Sequence, residues 1–199
     1  MPKTILFLAA NPIGTEPLRL DEEVREIDEG LRRAGQRDKF KLVQKWAVRP
    51  VDLRRAMLDY NPQIVHFSGH GSGTAGIVLE NELGKAQLVG AEALASLFSL
   101  FPGVRCVFLN ACYSEEQAQA IVRYVKHVIG MAHGIDDRAA IKFAVSFYDA
   151  LGAGRSIEFA FQFARAALRL EGYPDISPVL KVNKSIKDRK RYRHQQYDR

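Results

Sequence analysis

Ile64-Val65-His66-Phe67-Ser68-Gly69-His70-Gly71 and Val107-Phe108-Leu109-Asn110-Ala111-Cys112-Tyr113-Ser114 are the two stretches on which the reading of this chain turns. Each is an apolar run of strand length that stops on a reactive side chain, His70 in one and Cys112 in the other. Side by side in a parallel sheet, both groups would emerge at the same carboxyl edge. In open α/β sheets, loops at that edge surround a crevice in which ligands bind. A thiol and an imidazole in one crevice make a nucleophile and its base.

The rest of the chain supplies the sheet that this arrangement needs. Lys3 to Ala10 reads as a buried strand closed by Asn11-Pro12 and Gly14. Leu20, Val24, Ile27 and Leu31 recur at helical spacing behind Asp21-Glu22-Glu23, and Gly35 stops the run. Phe40 to Val48 is strand-like, and Pro50 opens a helix carrying Leu53, Ala56 and Met57 on one face. With the His70 strand the order is β-α-β-α-β, which favours a parallel sheet with helices on its faces. The rhythm then breaks. Gly71 to Gly76 leads into Ile77-Val78-Leu79, a polar turn and Lys85 to Val89, a hairpin inserted before a helix at Ala91 to Phe101.

The Cys112 strand begins at Val104. Ser114 with Gln117 has the form of a capping box, so a helix is expected right after the cysteine. Lys126 to Met131 is a further strand, Ala139 to Leu151 and Ser156 to Leu170 are helices, and Pro178 to Val182 supplies a last strand. The expectation is one α/β domain over residues 1–182, with a mainly parallel sheet of about six strands between helices.

At 199 residues, 47% of them hydrophobic, the chain can bury a full core. No apolar run approaches the roughly 20 residues that span a bilayer, and Met1-Pro2-Lys3-Thr4 lacks the features of a signal peptide. A soluble, cytoplasmic protein with no membrane association is expected. Cys106 and Cys112 are too few for a disulfide scaffold and read as free thiols. The formal charge of +6 resides in residues 181–199, where eight Lys/Arg face two Asp. This basic tail, residues 183–199, fits a solvated and partly disordered terminus better than a nucleic-acid partner.

Position dictates the chemistry expected of Cys112. A helix N-terminus and an imidazolium both favour a thiolate. Glu115 and Glu116 partly neutralise the helix dipole, so the histidine should matter more. An acyl-transfer site also needs donors for an oxyanion. The main-chain N–H groups of Gly71, which has no side chain to obstruct a carbonyl oxygen, and of Cys112 are the candidates. Spacing alone assigns no third catalytic residue.

These residues resemble the CHAT domain, a bacterial branch of the caspase-like cysteine peptidases. The resemblance rests on Phe7 to Pro12 with Leu20 to Ile27, on Val65 to Gly71, on Leu109 to Glu115, and on Val128 to Met131 with Asp137 to Tyr148 and Ala153 to Ser156. It implies a caspase-like three-layer sandwich and a cysteine endopeptidase that cleaves protein substrates through a thioester, with His70 and Cys112 as catalytic pair. It also implies a latent effector in stress or antiphage responses, switched on by a sensor partner or by self-association. Caspases carry Gln-Ala-Cys where this chain has Asn110-Ala111-Cys112, and metacaspase-type enzymes place an acid at the position of Asn110, so neither an aspartate nor a basic P1 preference follows. Asn11, Asn110 and Asp137 fall where relatives line or support the substrate pocket. Asp137 could receive a basic P1 side chain or cap the helix that follows.

Other features take blander readings. Cys106 is core, His66 packs or hydrogen-bonds internally, and His127 and His133 fit a strand start and a loop. No set of histidines has zinc-ligand spacing, so neither a metal nor another cofactor is expected. Phe159, Phe161 and Phe163 read as helix core. Gly71-Ser72-Gly73-Thr74-Ala75-Gly76 satisfies G-x-G-x-x-G, but the residues after it are strand-like, whereas a dinucleotide loop must open a helix. The rival function is a non-catalytic interaction module of the same fold, with nucleotide or nucleic-acid binding through the glycine loop or the tail as a weaker alternative.

Overall fold

The computed structural model describes residues 2–35, 37–173 and 177–186. Its central strands are apolar on both faces because helices cover both faces. β1 (Lys3–Ala10), β3 (Ile64–Gly69), β6 (Cys106–Asn110) and β7 (His127–Met131) are almost wholly buried, whereas β2 (Phe40–Lys45) and β8 (Pro178–Val182) are partly exposed. The strand order is β2-β1-β3-β6-β7-β8. All neighbours are parallel except β7 and β8. The two partly exposed strands are thus the two edges.

Alternation along the strands divides the core into two layers. Ile5, Phe7 and Phe108 pack under α1 (Leu20–Arg33), α5 (Asp137–Gly152) and α6 (Ile157–Leu170). Leu6, Leu8, Val107 and Leu109 pack under α2 (Pro50–Tyr60), α3 (Ala91–Ser99) and α4 (Glu115–Ile121). The inserted hairpin, β4 (Ile77–Glu80) with β5 (Ala86–Val89), forms a separate two-stranded antiparallel sheet.

Several local expectations are corrected. The second strand ends at Lys45 rather than Val48, since Ala47 adopts φ +50° and turns the chain. Ser114 and Gln117 make no capping box. The Ser114 hydroxyl is buried and instead donates to the Leu109 carbonyl at 3.1 Å and accepts from the Met131 N–H at 3.0 Å, joining the ends of β6 and β7. The Gln117 amide donates to the Gly73 carbonyl at 2.8 Å. Of the three phenylalanines on α6 only Phe161 is core. Phe159 and Phe163 lie one turn apart on the opposite face, about half exposed and stacked on each other at 6.3 Å.

The glycine-rich run Gly71 to Gly76 holds only a three-residue 3-10 turn before β4, so it opens no helix on which a pyrophosphate could rest. At the C-terminal end, the Asn183 side chain donates to the Val122 and Arg123 carbonyls at 2.9 and 3.2 Å, tying the start of the expected tail to the body. The basic run 187–199 lies outside the described residues. Among the described residues no helix is long and apolar enough to cross a membrane.

Candidate active site

β3 and β6 are adjacent and parallel, and their ladder closes on the pair Ser68↔Asn110. His70 and Cys112 each lie two residues beyond that rung, in the loops that leave the same sheet edge. The two loops touch. A Cβ built on Gly71 would overlap the carbonyl oxygen of Cys112 and approach Ala111 Cβ at 3.2 Å, so only glycine fits there.

The hairpin orients the histidine loop. The His70 carbonyl accepts from Val78 N–H at 2.9 Å, and Ser72 N–H donates to the Gly76 carbonyl at 2.8 Å. Gly71 and Ile77 therefore face each other as an antiparallel pair that exchanges no hydrogen bond. In such a pair the residue's own N–H points away from the hairpin.

The side chains of His70 and Cys112 are both partly buried, and their hydrogen bonds in this state run to main chain. His70 Nε2 lies 2.8 Å from the Glu16 carbonyl. A carbonyl only accepts, so Nε2 carries the hydrogen, and in the neutral ring Nδ1 is left as the proton acceptor. Cys112 Sγ lies 3.5 Å from Ile135 N, which donates to it, and 3.9 Å from the Ile135 carbonyl, to which the thiol can donate. Tyr113, next to the nucleophile candidate, is half exposed and adopts φ +56°, a left-handed conformation that costs a non-glycine residue about 1–3 kcal/mol and clusters at functional sites. Cys106 lies inside the sheet, where burial pushes its thiol well up and keeps it inert.

Beneath the two loops lies a buried polar cluster. Glu23 of α1 is 1% exposed. Its Oε1 accepts from Asn110 Nδ2 at 2.8 Å, and its Oε2 accepts from the Ser68 hydroxyl. His66 Nε2 approaches Oε1 to 3.0 Å, an ion-pair distance at an angle that makes no hydrogen bond. His66 Nδ1 is 3.1 Å from the Tyr148 hydroxyl, and the ring stacks on Phe108 at 4.4 Å. Burial raises the Tyr148 phenol far above its usual pKa and keeps it neutral. Asn110 Oδ1 has no partner among the described residues.

Residues 9–196 match the CHAT domain family. The chain belongs to the CHAT domain family. A Roc-COR-CHAT protease from an unidentified prokaryote is 29% identical over 86% of this chain, which spans only 17% of that protein's length. Among solved structures, a secreted C11 cysteine protease from Bacteroides thetaiotaomicron, bound to an irreversible peptide inhibitor, superposes with a TM-score of 0.58 at 15% identity, over 81% of this chain and 57% of that one. The Drosophila initiator caspase Dronc superposes with a TM-score of 0.55 at 8% identity, over 90% and 79%. The expected caspase-like architecture is therefore the one found.

The CHAT domain brings His70, Gly71 and Cys112 to one edge as the sequence leads one to expect. Asn11 lies at the end of β1, where its N–H donates to Glu80 Oε1 at 3.1 Å. Asn110 is in the floor. Asp137 is not the cap of α5, since the side chain of Asp136 accepts from Ala139 N–H in that role. Asp137 Oδ2 instead accepts from Arg19 Nε at 3.1 Å, which joins the lead-in to α1 with the start of α5.

Sequence reasoning missed Glu16, Ile135, Ser68, Tyr148 and above all Glu23. The first two act through main-chain atoms and carry no side-chain signal. Glu23 did carry one. It sits three residues after Leu20 and four before Ile27, on the apolar stripe of α1, where a solvated acid does not belong.

Proposed function

We propose that this CHAT domain is a cysteine endopeptidase acting on protein substrates. Cys112 attacks the scissile carbonyl as a thiolate, and His70 Nδ1 takes the thiol proton and delivers it to the leaving amine. The N–H groups of Gly71 and Cys112 receive the oxyanion. Water, activated by the same imidazole, then hydrolyses the thioester. The observation that carries this reading is the contact of Gly71 with the Cys112 peptide, beside a His70 ring whose Nε2 is held by the Glu16 carbonyl. The protease relative and the C11 and caspase folds point to the same chemistry.

Asn11, Asn110 and Asp137 are the proposed pocket residues. Asp137 already holds one guanidinium, that of Arg19, so a basic P1 side chain would have to displace it. An activating sensor protein, or self-association, is proposed to switch the enzyme on by admitting substrate to the crevice, with the pair already held at the sheet edge. Action in the bacterial cytoplasm as a stress or antiphage effector completes the proposal.

The test is mass-spectrometric mapping of new peptide N-termini in a proteome treated with the protein, with Cys112→Ala as control and candidate activators added in turn. New termini that share a P1 type and are absent from the control are expected. Silence with every activator would favour the non-catalytic interaction module.

A further inference from the structure

The cross-strand pairing of β3 with β6 stops at Ser68↔Asn110, two residues short of His70 and Cys112. What holds the two strand ends at that rung is a side chain from outside the sheet. Glu23 takes Ser68 on one oxygen and Asn110 on the other, so one carboxylate spans two strands that lie about 4.8 Å apart. Seven residues earlier, the same segment presents the Glu16 carbonyl to His70 Nε2. The stretch from Glu16 to Glu23 thus grips the histidine directly and both strand ends from below. Burying a carboxylate this deeply carries a large desolvation cost unless its partners compensate, and an apolar residue at position 23 would continue the stripe of α1 without that cost.

We propose that Glu23 is the positioning residue of the His70–Cys112 pair, setting the separation of the two loops by clamping Ser68 and Asn110. This rests on the peptidase reading of the pair. Glu23 touches no reacting atom; it acts through the strand ends. The role is one of hydrogen-bond geometry, so glutamine should serve in its place. In Glu23→Gln the side-chain carbonyl would accept from Ser68, and the amide would donate to Asn110 Oδ1 once the Asn110 amide turns over, which the unpartnered Oδ1 permits.

The test is the pH profile of Cys112 alkylation by iodoacetamide in the full chain, read by mass spectrometry; Cys106 is fully buried and spared. An imidazolium-paired thiolate stays reactive at pH 6, where an isolated thiol with a pKa of about 8.5 is less than about 1% ionised. Wild type should therefore react about 100-fold faster than His70→Ala at that pH. Glu23→Ala should lose at least about tenfold of this advantage, and Glu23→Gln should restore most of it. A merely structural Glu23 would lower the melting temperature of Glu23→Ala and leave the profile of the folded protein unchanged, which would overturn the proposal. Should Glu23→Ala not fold, Ser68→Ala and Asn110→Ala address the two ends of the clamp separately. Each should lower the rate at pH 6, and unchanged profiles in both would overturn it equally. Wild type and His70→Ala with the same profile would instead overturn the reading of the pair itself.

Discussion

The α-carbon of Gly71 lies so close to Cys112 that a methyl group on it would occupy the space of the Cys112 carbonyl oxygen. The obstacle is backbone on both sides, so neither loop can yield by rotating a side chain. Gly71→Ala is expected to cost about 1–3 kcal/mol, as overpacking does. It should also push the histidine loop off the cysteine loop. Thermal unfolding measures the first effect, and loss of the acid-pH limb of Cys112 alkylation measures the second.

Arg19 and Asp137 form an ion pair with both side chains partly exposed, so solvent screens it and it contributes little to stability. Arg19→Gln should then leave the unfolding midpoint nearly unchanged while freeing the Asp137 carboxylate. If Asp137 belongs to the P1 pocket, cleavage after Arg or Lys rises relative to cleavage after uncharged residues. Unaltered relative rates on a P1-varied peptide set would remove Asp137 from the pocket.

The three phenylalanines of α6 should respond unequally. Phe161→Ala empties a core site against Phe143 and is expected to cost about 3–5 kcal/mol. Phe159→Ser and Phe163→Ser act on a surface stack and should each stay within about 1 kcal/mol. Chemical denaturation of the three variants under one set of conditions decides it.

Asp52 opens α2. Its carboxylate accepts from the Arg49 guanidinium at 2.7 Å and from the Arg49 N–H at 3.2 Å. The hydrogen bond to the guanidinium is the main cause of a carboxyl pKa held below the ordinary value of 3.8, against the opposing effect of partial burial. A depressed folded pKa means that the contribution is fully present above the unfolded value and disappears as pH falls through the folded one. Wild type should therefore lose its stability advantage over Asp52→Asn on acidification below about pH 4. Denaturation midpoints that run parallel for the two proteins through that window would contradict the assignment.

The sequence made most of the sheet legible because its central strands are buried on both faces. Continuous apolar runs such as Lys3 to Ala10 leave little choice of element, and β-α alternation leaves little choice of direction. It was less informative where a polar side chain has more than one partner within reach. Ser114 is spaced for a capping box, yet the junction of β6 and β7 claims its hydroxyl. The phenylalanines of α6 were misjudged because a list of aromatic residues ignores the rotation of about 200° between positions two apart.

By itself, the chain's own order of residues determined which groups reach the carboxyl edge. His70 and Cys112 each end an apolar strand run, and adjacent parallel strands bring such ends together. Only the tertiary structure decided what those groups touch there. The Glu16 carbonyl on the imidazole, the Ile135 N–H on the sulfur and the Glu23 carboxylate beneath both loops come from 54, 23 and 45 residues away in sequence. Strand length and apolarity are local properties that a sequence displays directly. A hydrogen bond between remote segments depends on how helices settle on the sheet, and that is a property of the packed core as a whole.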